Sequence, residues 1–116
     1  MTRSAIPHLL AVAVLATVMS ACHSRTALSP QQSDGQHVYN TACAHCHEEN
    51  DLALKKVPPN LHGVFTRKTL PDGAPATDAE VKRVIMNGKG LMPPFKYQMT
   101  QDQLNAVVAY LHAGLR

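Results

Sequence analysis

Cys43-Ala44-His45-Cys46-His47 is the stretch on which the reading of this chain turns. Two thiols separated by two residues, with a histidine directly after the second, form the C-x-x-C-H run that attaches a c-type haem. The spacing suits the chemistry. Each thiol can add to a vinyl group on one edge of a porphyrin, and the histidine that follows can bring its imidazole beneath the iron. Other uses of paired cysteines fit less well. A structural zinc site needs four ligands, and with no second C-x-x-C pair only His37 or His62 could help complete one. A thioredoxin-like redox pair follows a strand in a βαβ unit, and no segment of this chain alternates convincingly as a strand does.

Working outward towards the N-terminus, an apolar run from Leu9 to Val18 follows Arg3, and the small residues Ser20 and Ala21 precede Cys22. The run has the length of a signal-peptide core and is short for a bilayer span. Residues 1–21 are therefore expected to be a signal peptide, 22–32 a flexible tether and 33–116 the folded domain. Val18-Met19-Ser20-Ala21-Cys22 resembles the lipobox of bacterial lipoproteins, in which the cysteine is acylated and becomes the new N-terminus. Met19 stands where that family usually has Leu. The resemblance implies a lipid anchor at Cys22. Ordinary cleavage nearby, leaving Cys22 unmodified or removed, is the alternative.

The 116 residues less these 21 leave 95, with ten basic and eight acidic side chains. So slight a positive balance, with no aromatic residues interleaved among the basic ones, argues against nucleic acid as a partner. The chain has two Phe, three Tyr and no Trp, so a domain this small needs a cofactor, metal or disulfide to complete its core.

Three segments carry helix signals. The first is expected from Ser33, with Gln36 as capping-box partner, to Ala42, turning Val38, Tyr39 and Ala42 inward. The second begins near Thr77, with Glu80 three places on, carries Val81, Val84 and Ile85, and stops at Gly88. The third follows Thr100 and Gln103, and its stripe is Leu104, Val107, Val108, Leu111 and Leu115, with fraying expected near Gly114. The long Pro-, Asn- and Gly-rich stretch between the first two either holds further helical turns or wraps something that is not protein.

His47 supplies one axial bond, and a methionine is the natural candidate for the other, since Met/His ligation favours electron transfer. Met86 lies in a helical pattern and Met99 directly before a helix cap. Met92 lies in Gly88-Lys89-Gly90-Leu91-Met92-Pro93-Pro94-Phe95, where glycines allow close approach to a flat ring and prolines stiffen the backbone. Met92 is the preferred ligand.

With the C-x-x-C-H run and the downstream Met-Pro-Pro-Phe together, residues 33–115 resemble class I cytochrome c, close in size to the short bacterial monohaem members. The resemblance implies an all-α fold, with three main helices wrapped around one covalently bound haem c held by Cys43 and Cys46. It implies that the first and last helices cross near a right angle, Gly35 and Tyr39 meeting Val107 and Tyr110. In Pro58-Pro59-Asn60-Leu61-His62-Gly63, Pro59 would offer its carbonyl to His47 Nδ1–H and Leu61 would pack on the porphyrin, while His62 reads as a turn residue. In Val64-Phe65-Thr66-Arg67-Lys68-Thr69, Arg67 would pair with a propionate or belong to a solvated basic pair. His47 and Met92 would be the iron ligands. The chain departs from the family pattern at Glu48, where many relatives have Gly, and in lacking a Trp near the propionates.

Function follows from that site. The resemblance implies an electron carrier and not an enzyme, and no Ser/His/Asp or Cys/His arrangement for nucleophilic work stands against it. Glu48, Glu49 and Asp51 read as a solvated acidic run. Lys55, Lys56, Lys89 and Lys96 flank the segments expected to cover the haem edge and suggest a mildly positive docking face. The expected partners are protein: a dehydrogenase, an oxidase or another respiratory complex. The expected state is a monomer in the periplasm, membrane-anchored if Cys22 is acylated.

Overall fold

In the computed structural model, which describes residues 27–116, the first helix opens four residues earlier than expected, at Ser29. The segment expected to be a signal peptide, Cys22 and the first part of the expected tether lie outside the described residues. Helix α1 is Pro30–Ala42. Ser29 Oγ accepts from the Gln32 amide at 3.2 Å, and Gln32 Oε1 accepts from the Ser29 amide at 2.9 Å. The Ser33/Gln36 pair has the same spacing, but the proline decides between them. Pro30 stands at the first helical position, where its fixed φ suits the helix and its missing N–H costs nothing. Residues 30–32, read as tether, are therefore helical.

α1 buries Gly35 and Tyr39, with Val38 and Ala42 half-buried beside them. It ends at Cys43, whose amide donates to the Tyr39 carbonyl at 2.8 Å. A single further turn, α2 (Ala44–His47), carries the second thiol and the histidine that follows it. The long stretch beyond contains one 3-10 turn, Val64–Thr66, and an isolated antiparallel bridge between Thr69 and Pro75. Further helical turns thus occupy only part of it.

Helix α3 is Asp78–Asn87, capped by Thr77 Oγ accepting from the Glu80 amide at 3.3 Å and closed at Gly88. Val81 and Ile85 are its buried residues. Helix α4 is Gln101–His112, with Thr100 and Gln103 in a reciprocal capping box. It buries Leu104, Ala106, Val107, Val108, Tyr110 and Leu111. Beyond it, Gln36 Nε2 and Tyr110 Oη donate to the Arg116 carbonyl at 2.8 and 2.9 Å, so the chain end is tied back to α1 and α4.

The α1–α4 contact is the frame of the molecule. A β-carbon on Gly35 would fall inside the Ala106 carbonyl, 2.5 Å from its carbon and 2.9 Å from Tyr110 Cβ. Only glycine lets the two backbones come so close. The partner of Gly35 is therefore the Ala106 backbone together with Tyr110, one residue from the expected Val107. Next to it the Tyr39 and Tyr110 rings meet edge-on, 5.6 Å apart at 62°, an arrangement that adds about 0.5–1.5 kcal/mol to their area burial. α3 packs on the same helix, and His112 pins the loop to it. The His112 ring stacks on Phe65 at 3.8 Å while its Nε2 lies 2.7 Å from Asp78 Oδ1. The all-α architecture expected from the sequence is the one found, three longer helices with an irregular wall between α2 and α3. Among the described residues, no helix is long and apolar enough to cross a membrane.

Candidate haem site

The two thiols of the motif sit on one helical turn and are not joined to each other. Cys43 is buried where α1 ends, and its carbonyl accepts from the amides of Cys46 and His47 at 3.1 and 2.9 Å. Burial, reinforced by the neighbouring Cys46, pushes the Cys43 thiol up to about 11. At neutral pH it is an uncharged S–H. An unpaired couple of thiols held one turn apart, with a histidine directly after the second, fits addition to the vinyl groups of a haem.

The motif holds two histidines, and their surroundings separate them. His45 points outward, with Nδ1 at 2.8 Å from Asp51 Oδ2 and 3.8 Å from Glu49 Oε2. The hydrogen bond that His45 donates to the Asp51 carboxylate raises its pKa above the ordinary histidine value. His47 is half-buried, and its Nδ1 lies 2.7 Å from the Pro59 carbonyl. A carbonyl only accepts, so Nδ1 carries the proton and Nε2 keeps its lone pair. An acceptor of this kind fixes the ring and makes Nε2 a better donor to a metal. The donor set fits haem c: two free thiols, and one imidazole with its metal-binding nitrogen left open.

The turn that supplies this carbonyl is braced from within. Asn60 Oδ1 accepts from the His62 amide at 2.8 Å, and Arg67 Nη2 donates to the carbonyls of Asn60 and His62 at 3.1 and 3.0 Å. His62 is a turn residue, as its sequence context suggests. Leu61 is half-buried against the core, as are Phe65 and Leu70. Glu48 is more than a solvated carboxylate. Its Oε1 accepts from the buried Tyr39 hydroxyl at 3.0 Å. Its departure from the family's usual glycine was the sequence signal, but a partner nine residues back could not be read from it.

Met92 ends a tight hairpin. Lys89 and Met92 exchange both backbone hydrogen bonds at 3.0 Å, and the two residues between them are Gly90 and Leu91. Gly88 closes the hairpin at its base with φ +73, where a β-carbon would lie 2.5 Å from the Met92 carbonyl oxygen and 2.8 Å from Pro94 N. The Phe95 and Lys96 amides donate to the carbonyls of Ile85 and Met86, both at 3.1 Å, so the segment beyond is fastened to α3. Met92 is half-buried against the core, Met99 is buried in it, and Met86 packs against it from α3.

Residues 30–111 match the family described as cytochrome C oxidase, cbb3-type, subunit III. The chain belongs to the cytochrome c family. It is also 32% identical over 77 residues to cytochrome c6 of Leptolyngbya boryana, a match covering 66% of this chain and 85% of that protein. No solved structure gives a significant match. This cytochrome has a class I domain with one c-type haem attached through Cys43 and Cys46. Its role is that of a small electron carrier and not of an enzyme.

Proposed function

We propose that this cytochrome shuttles single electrons between exported or membrane-bound redox partners, with His47 and Met92 as the two iron ligands. The observation that carries the reading is the 2.7 Å contact between His47 Nδ1 and the Pro59 carbonyl, which leaves Nε2 free to bind. Haem c, when bound, supplies a one-electron iron couple. The chain does the rest. His47 donates from a ring whose orientation is fixed, and Met92 offers a soft, neutral thioether from a hairpin stiffened by Pro93 and Pro94. Leu61, Phe65, Leu70 and Phe95, half-buried around the core, keep water from the cofactor. The Arg67 N–H groups not used on the turn are available to a propionate.

The donor is a dehydrogenase, and the likeness to subunit III of cbb3-type oxidase favours an oxidase as acceptor. The docking face is the positive one around Lys55, Lys56 and Lys96, with exposed Val57 and Leu91 as its apolar contacts. Lys89 contributes less, because its ammonium is taken up by Asp72. Acylation of Cys22 after export would hold the monomer at a periplasmic membrane surface. Intact mass of the mature protein reports haem and lipid together.

The ligand set is tested in oxidised holoprotein. Met92→Ala is expected to abolish the long-wavelength absorption band of thioether–iron ligation and to lower the midpoint potential. A band that survives in Met92→Ala and disappears in Met99→Ala or Met86→Ala would overturn the assignment. Carbon monoxide binding by the unmodified reduced protein would overturn it too.

A further inference from the structure

Glu48 stands where three parts of the chain meet. Its Oε1 accepts from the Tyr39 hydroxyl at 3.0 Å and faces His62 Nε2 at 3.4 Å. Tyr39 is a fixed point: it is 1% exposed, and its ring is wedged against Tyr110. Burial, followed by the hydrogen bond and charge of Glu48, drives the Tyr39 pKa well above the usual phenol range, so the hydroxyl remains a donor. His62 belongs to the irregular turn whose Pro59 carbonyl accepts from His47 Nδ1. The bonds from Asn60 and Arg67 brace that turn internally, since both residues lie in the same loop. The Tyr39–Glu48–His62 chain runs instead from the turn to the buried end of α1.

We propose that Glu48 is a positioning residue for His47: by bridging Tyr39 and His62 it holds the 59–62 turn so that the Pro59 carbonyl stays on the imidazole Nδ1. The inference rests on His47 as the iron ligand. A firmly placed acceptor fixes the ring plane and strengthens donation from Nε2, and a loosened one weakens both. Glu48 is not itself an iron ligand, so its effect on the orientation of the His47 ring passes through the turn.

The test is hydrogen exchange of the His47 Nδ1–H, followed by NMR in the reduced holoprotein, together with the midpoint potential. In Glu48→Ala the bridge is gone, and exchange should accelerate about fivefold or more, the size of one lost net hydrogen bond. Glu48→Gln keeps an oxygen that can accept from the Tyr39 hydroxyl and stand against His62 Nε2, and exchange should stay within about twofold of the parent. Both variants remove a negative charge and raise the potential, so it is the exchange rate that separates bridging from charge. His62→Ala cuts the other arm without touching α1 and should accelerate exchange as Glu48→Ala does, which covers the case in which Glu48→Ala fails to fold. Unchanged exchange in His62→Ala and in a folded Glu48→Ala overturns the proposal. So does a Glu48→Gln protein that loses protection as fully as Glu48→Ala. A parent spectrum without histidine ligation would instead sink the functional reading beneath it.

Discussion

Gly35→Ala asks the most of this fold. A β-carbon there would enter the Ala106 carbonyl and lie 2.9 Å from Tyr110 Cβ, where ordinary contact begins at 3.4 Å. Both neighbours are rigid parts of α4, so the two helices must part by roughly an ångström. Overpacking of this kind costs about 1–3 kcal/mol. Parting α1 from α4 also opens the edge-on contact of Tyr39 and Tyr110, worth about 0.5–1.5 kcal/mol. Against this, alanine in a helix is favoured over glycine by about 0.5–1 kcal/mol. The net expectation is a loss of about 2 kcal/mol, which in a domain of this size lowers Tm by about 8–16 °C.

Thermal unfolding of the oxidised holoprotein, followed by circular dichroism, measures the loss. Gln31→Ala, on the exposed side of α1, is the control and should stay within about 0.5 kcal/mol of the parent. A Gly35→Ala protein with an unchanged or raised Tm would mean that the helix-propensity gain meets no opposition. The α1 and α4 backbones could not then be in contact at this point, and the frame described above would be wrong.

Gly88→Ala strains the base of the Met92 hairpin twice. The backbone at φ 73, ψ 170 is one that essentially only glycine adopts and costs a side-chain-bearing residue about 1–3 kcal/mol, and the contacts with the Met92 carbonyl and Pro94 N add overpacking. The expected outcome is a lower Tm and a weaker long-wavelength thioether–iron band in the same sample, and an intact band with native Tm would contradict it. A separate expectation concerns acid. Arg83 donates from Nε and Nη2 to Glu80, and this hydrogen bond, with the opposite charge, holds the Glu80 carboxyl below the usual glutamate range. Because the folded pKa is depressed, the pair's contribution is present above the unfolded glutamate pKa and is lost as pH falls through the folded value. Carbon-13 titration should place the Glu80 midpoint below that of a free glutamate and return it upward in Arg83→Ala. A midpoint that does not move in the variant would show that the pair does not set it.

The helices most legible in the sequence were those with unambiguous ends. Thr77 and Gly88 bracket α3, and Thr100 with Gln103 opens α4, because cap chemistry and the apolar stripe agree at both. The start of α1 was misread where two serines, each with a glutamine three places on, compete four residues apart, and a proline at the first helical position tips the balance. α2 went unread because a single turn has no period to detect. In the site, the attachment residues and the Pro59 carbonyl follow from spacing and resemblance. Contacts across the fold do not. The Tyr39–Glu48 bond, the Arg67 bonds to Asn60 and His62, and the His112 stack on Phe65 each depend on where an irregular loop settles, and no local pattern encodes that.

Two of the segments proposed to serve the cofactor are fastened to the end of a helix, and this explains how a domain with so few large side chains can hold its site. Cys43 is at once the C-cap of α1 and the first attachment thiol, so the α1–α4 contact at Gly35 fixes the haem edge two turns away. Gly88 is at once the C-cap of α3 and the floor of the Met92 hairpin, and the Ile85 and Met86 carbonyls hold the segment beyond it. Met99, immediately before the Thr100 cap, buries itself in the same core as α4 begins. The one wall without a helix end to carry it is the 59–62 turn, and there the chain uses polar ties instead: Asn60, Arg67 and the Tyr39–Glu48–His62 chain. Helix-end substitutions should therefore move stability and potential together. Substitutions in the polar ties should move the imidazole first and stability second.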